Sequence, residues 1–119
     1  MELDIDNTGD STGVFPNELD AKLSSGWSLI DVREDDEWEA GHHREATHIS
    51  MGTIEENLTK FTKSNDYIIV CRSGARSSRV SNYLLSKDFN VLNLDGGMKA
   101  LFNVSNNIIN SNGSTGQII

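Results

Sequence analysis

Tyr67-Ile68-Ile69-Val70-Cys71-Arg72-Ser73-Gly74-Ala75-Arg76-Ser77-Ser78-Arg79 is the stretch on which the reading of this chain turns. Its apolar run, from Tyr67 to Val70, suits a central parallel strand covered on both faces. A loop of small and basic residues follows. Val80, Tyr83 and Leu84 then recur at helical spacing. A strand that ends in a glycine-bearing turn and opens a helix aims several backbone N–H groups at one point. Cys71, the single cysteine of the chain, stands at that point. Its sulfur is therefore expected as thiolate, the nucleophilic form. The plainer alternative is a strand cysteine packed as a small hydrophobe. The flanking loop argues against it.

Outward from this stretch, apolar runs alternate with helical patterns. Val14-Phe15-Pro16 is extended, because proline biases its predecessor away from helix. Asn17 is a plausible N-cap for a short helix bearing Leu19 and Leu23, closed near Gly26. Trp27 to Val32 reads as a buried strand. Glu34 to Ala40 has acids in its first turn and Gly41 after it, the pattern of a short helix. Thr47-His48-Ile49 is a brief strand. Met51 to Phe61 places Ile54, Leu58 and Phe61 at helical spacing. Val91 to Leu94 is expected as the last strand, and Asp95-Gly96-Gly97 turns into a final helix from Met98 to about Phe102. Such alternation implies an α/β sandwich around a mostly parallel sheet. The expected organisation is a polar, mobile N-terminal tail over 1–13, one domain over 14–102, and an Asn/Ser-rich C-terminal segment over 103–119 whose packing the sequence leaves open.

The 119 residues suffice for one domain that needs no disulfide or metal to fold. No apolar run approaches a membrane span, and the acidic, polar start does not read as a secretory signal, so a cytoplasmic location without membrane contact is expected. Three Asn-x-Ser/Thr matches, at Asn57, Asn103 and Asn112, are read as chance. A net charge of −8 argues against nucleic acid as partner. Against that background Arg72, Arg76 and Arg79 gather beside the lone thiol with no acid among residues 71–79. The cluster looks built to receive a small anion, although Arg79 also fits a solvated helix face. His42, His43 and His48 lack a recognised ligand spacing, so no metal site is expected. His42 is expected to close the preceding helix on a backbone carbonyl, and Trp27 and Trp38 to pack.

Four pieces, in order, resemble the single-domain rhodanese (sulfurtransferase) family: Leu29-Ile30-Asp31-Val32-Arg33; Glu37-Trp38 with Gly41-His42; Cys71 to Ser77; and Asn93-Leu94-Asp95-Gly96-Gly97. The resemblance covers residues 14–102 and implies a rhodanese-like three-layer α/β/α sandwich. The chain departs from the family where Gly41-His42-His43-Arg44-Glu45-Ala46 replaces a proline- and glycine-bearing loop. It departs again at Ser50, where a proline is usual, and in the last helix, which lacks a tryptophan.

The resemblance further implies a sulfurtransferase in which Cys71 takes a sulfane sulfur from thiosulfate or a similar small anionic donor. The persulfide passes to cyanide, an external thiol or a sulfur-relay protein. The loop residues Arg72, Ser73, Gly74, Ala75, Arg76 and Ser77 are the expected substrate-binding set. Arg76, with Arg72 as a second candidate, is assigned to donor oxygens. Asp31 and Arg33 are candidate supporting residues, for which a structural ion pair is the simpler role. No cofactor is expected. Related cysteine-loop phosphatases hold five residues between cysteine and arginine; here there are four, and the tighter ring favours a sulfur atom. The alternative from another class is a persulfide carrier or partner-docking module with little turnover.

Overall fold

The run that leads to Cys71 lies in the middle of a five-stranded sheet. The computed structural model describes residues 12–119, so most of the expected N-terminal tail falls outside the described residues. In chain order the elements are β1 (Thr12–Val14), α1 (Leu19–Ser24), β2 (Ser28–Asp31), α2 (Asp35–Ala40), β3 (His42–His43), β4 (Thr47–His48), β5 (Asp66–Val70), α3 (Ala75–Ser86), β6 (Asn90–Leu94), α4 (Gly97–Phe102) and β7 (Ile108–Ile109). The main sheet has the order β1-β6-β5-β2-β4, and every pairing in it is parallel. Parallel neighbours need crossover connections, which the helices supply.

The strand period of two divides the core between the faces of the sheet. Ile30, Ile69 and Val91 join Val80 and Leu84 of α3 in one cluster. Leu29, Ile68, Val70 and Leu94 join Leu19 of α1 with Met98 and Leu101 of α4 in the other. Burying each such side chain contributes roughly 1.5–3 kcal/mol. The result is the expected three-layer sandwich with its parallel sheet inside.

Some expectations need correction. Met51 to Phe61 is not an α-helix but two 3-10 segments, Met51–Thr53 and Glu55–Lys60, with Asn57 off helical geometry (φ −108°, ψ 16°). The Asn57 amide donates to Thr53 O at 2.8 Å, the side-chain competition with the backbone that disfavours asparagine within helices. The expected apolar face is present, with Ile54 and Phe61 buried. The strand at Val91 to Leu94 is not the last. Ordered structure also starts earlier than Val14, because Thr12 and Gly13 pair with Leu92 and Asn93.

Residues 103–119 pack on the domain. β7 pairs antiparallel with β3, and Gln117 N–H donates to Ala40 O at 2.8 Å. The altered loop at 42–46 finds its own solution. Ala46 N–H reaches His43 O at 3.0 Å to close a turn, and Glu45 N–H donates to His43 Nδ1 at 3.0 Å. A histidine side chain thus does the turn-fixing that proline and glycine would otherwise do. His43 is fully buried, and burial holds it toward the neutral form that can accept this bond.

Candidate active site

Cys71 follows the carboxyl end of β5, where open parallel sheets place their sites. Its own carbonyl is not available to the loop: Met98 N–H takes Cys71 O at 2.8 Å and Lys99 N–H takes Arg72 O at 3.0 Å. Gly97 makes that approach possible. A Cβ there would lie 2.5 Å from Arg72 O, and the residue has φ +62°. With its first carbonyls turned toward α4, the loop curls its N–H groups inward.

Gly74, at φ +116°, donates its N–H to Cys71 Sγ at 3.1 Å. The Ser77 hydroxyl lies 3.3 Å from the same sulfur. Burial pushes the Cys71 thiol up, but bonds from the Ser77 hydroxyl and from the Ser77, Gly74 and Ser73 amides outweigh it, and the net displacement is downward. The positive end of α3, a helix of 12 residues opening at Ala75, acts in the same direction. Helix α3 begins at Ala75, which brings its first amides to the sulfur. Cys71 is only 1% exposed and shares a core cluster with Ile69 and Val80. It is both buried and ringed by donors, and a hydrophobe in a strand has no use for such a ring.

The cations are less free than expected. Arg76 makes a two-pronged ion pair with Glu37 of α2, both bonds at 2.8 Å. Those bonds hold the Glu37 carboxyl at about 2 and push the Arg76 guanidinium above its ordinary value. Arg72 is exposed, and its Nε donates to Ile119 O at 2.9 Å. Arg79 is exposed on α3. Ser73 and Ala75 are exposed at the rim.

Asp31 and Arg33 close on each other. Arg33 Nη2 meets Asp31 Oδ2 at 2.7 Å and Gly41 O at 2.6 Å, and both side chains are fully buried. Their geometry is that of a structural tie between β2 and the end of α2. His42 Nδ1 lies 2.7 Å from Trp38 O, the expected helix-closing contact. Trp38 stacks with the rings of His42 at 3.6 Å and His48 at 4.8 Å. No cluster of metal-ligating side chains occurs among the described residues, and no helix among them is long and apolar enough to cross a membrane.

Three residues near the sulfur went unread as site residues. Glu37 holds Arg76 from 39 positions away. Gly97 admits the loop carbonyls, and Asn93 lies 2.5 Å from Ser77 Oγ. A Gly-Gly pair after a strand signals positive φ, which could have singled out Gly97. Glu37 stands among the family pieces, yet nothing local pairs it with Arg76.

The family model for the rhodanese-like domain matches residues 15–103. A Bacillus subtilis protein named "Putative sulfurtransferase YtwF" is 46% identical over 72 residues, covering 60% of this chain and 70% of that one. Another from the same organism, named "Putative sulfur carrier protein YrkF", is 30% identical over 90 residues, covering 75% of this chain and 48%, about half, of that one. Among solved structures, a rhodanese-like domain protein from Staphylococcus aureus superposes with a TM-score of 0.72 at 37% identity, covering 76% of this chain and 90% of the other.

Proposed function

The chain belongs to the rhodanese-like domain family, and from that premise we propose that it is a cytoplasmic sulfurtransferase working through a persulfide on Cys71. The Cys71 thiolate attacks the outer sulfur of a donor such as thiosulfate. A bond forms between the two sulfurs, the S–S bond of the donor breaks, and sulfite leaves with its electron pair. An external thiol or cyanide then attacks the outer sulfur of the persulfide and regenerates the thiolate. With a single cysteine in the chain, no internal thiol can do this.

The observation that carries the reading is the convergence of the Gly74 N–H and the Ser77 hydroxyl on one sulfur at the head of α3. Such donors stabilise the thiolate and then the terminal sulfur of a persulfide, which bears a similar charge. Arg76, held by Glu37, adds fixed positive charge that interacts with an ionised Cys71. In this reading it favours anionic donors, so Arg76→Ala raises KM for thiosulfate. The test is transfer from thiosulfate to cyanide and to thiols, with mass spectrometry for one added sulfur atom on Cys71. Cys71→Ser is expected to lose about a thousandfold or more. An unchanged rate in that variant overturns the assignment.

A persulfide carrier is the second reading. It is favoured by the 1% exposure of Cys71 and by the likeness to a relative named as a sulfur carrier. A carrier loads sulfur readily yet passes it slowly to small acceptors, whereas a sulfurtransferase turns over with them.

A further inference from the structure

Ser77 Oγ has one hydrogen to give and three acceptors within reach. Cys71 Sγ is 3.3 Å away, Gly74 O is 3.2 Å away, and the Asn93 side chain is 2.5 Å away with Oδ1 nearest. One hydrogen cannot serve all three. Were it given to Asn93, the sulfur would lose its side-chain donor. An ionised sulfur is a charged acceptor, and charge-assisted bonds outcompete neutral ones.

Asn93 sits in β6 opposite Ile69 of β5, two residues short of Cys71 on the neighbouring strand. It shares its face of the sheet with Val91 of the α3-side cluster, and it is only 9% exposed. A strand buried there calls for an apolar residue, and a buried amide is costly unless it is bonded. An asparagine can present either its oxygen or its nitrogen to the same neighbour, because the two ends have nearly the same shape.

We propose that Asn93 is a positioning residue for Cys71: with its amide turned so that Nδ2–H donates to Ser77 Oγ, it leaves the Ser77 hydrogen to the sulfur. The relay runs from β6 through the first turn of α3 to the end of β5, and each member then has one donor aimed at the next acceptor. No bond is made or broken by it. Asn93 fixes the direction of one hydrogen and thereby the share of Cys71 present as thiolate. The role rests on the reading of Cys71 as nucleophile and deepens it.

The test is the rate of Cys71 alkylation against pH in the full chain, for wild type, Asn93→Leu, Ser77→Ala and the double variant. Asn93→Leu keeps the size and removes both polar ends. The expected result is an upward shift of the inflection by about one pH unit, a tenfold loss of thiolate below it. In the Ser77→Ala background the same change should add nothing, because Asn93 acts through Ser77. An inflection that falls in Asn93→Leu means that the asparagine competed for the hydrogen, and one that stays means that it does neither; both overturn the proposal. Where the leucine variant does not fold, Asn93→Ala takes its place with the same expected sign. The readout needs no sulfur donor. Failure of wild type to form a persulfide would defeat the sulfurtransferase reading alone, and a wrong shift in Asn93→Leu would defeat this one alone.

Discussion

Two neighbouring strands of the sheet, β2 and β5, end in polar residues at the same edge, and they resolve that polarity in opposite ways. At the end of β2, Arg33 Nε and Nη2 bond to the Asp31 carboxylate and Nη2 also to Gly41 O, with both side chains sealed from solvent and Arg33 Nη1 left without a partner among the described residues. The charges cancel locally, and the pair holds the end of α2 to the sheet. At the end of β5, the carbonyls of Cys71 and Arg72 are drawn off by α4, and amides of the loop turn to the sulfur, with Gly74 N–H at 3.1 Å. Donors from the loop and from Ser77 converge on that sulfur and favour its ionised form. A closed ion pair gives a fold its rigidity; donors gathered on one sulfur give it chemistry. The pair Glu37–Arg76 lies between the extremes, partly buried and joining α2 to α3 beside the loop.

Breaking the closed pair should have the largest effect on stability. Asp31→Ala strands the buried Arg33 and is expected to cost about 3–5 kcal/mol, read as a lower denaturant midpoint. Molecules that remain folded should keep the depressed Cys71 inflection, because no donor to the sulfur comes from β2. An inflection that moved with Asp31 would erase the distinction between the two strand ends.

Gly97→Ala attacks the donor-rich end through its carbonyls. A methyl at 2.5 Å from Arg72 O forces α4 and the loop apart, at about 2 kcal/mol. Here the Cys71 inflection should rise as the loop amides lose their aim. A variant as stable as wild type, with an unchanged alkylation profile, would mean that α4 does not set the loop.

The smallest effect is expected from Glu37→Gln, about 1 kcal/mol for a partly exposed pair. Its pH dependence has a definite sign. The folded Glu37 carboxyl sits at about 2 against an ordinary 4.5, so its contribution is complete above that ordinary range and is lost as pH falls through about 2. The stability gap between wild type and Glu37→Gln should therefore be constant near neutrality and close on acidification. A gap that widens toward low pH would contradict the pairing.

The strand, loop and helix around Cys71 were legible because each signal is local: an apolar run, a glycine where φ must be positive, and a return to helical spacing. The helix-closing contact of His42 was legible for the same reason. The reading of 51–61 as one helix failed because apolar spacing does not register a side chain such as Asn57 competing for a backbone carbonyl. Arg76 was assigned to a donor without its Glu37 partner, since nothing in the sequence near either residue announces a contact across 39 positions. The segment after residue 102 has isoleucines without a period, so only its pairing with β3 reveals where it goes.

Local signals in the chain set the alternation of strands and helices, the place of the thiol at a strand end, and the glycine that lets an amide turn toward it. These follow from periodicity and backbone sterics, which act over a few residues. Which groups surround the sulfur depends on contacts between elements far apart in the chain. Ser77, Asn93, Gly97 and Glu37 reach the loop from α3, β6, α4 and α2, and their meeting is set by the packing of those elements against one parallel sheet, an interaction that no short stretch of chain encodes.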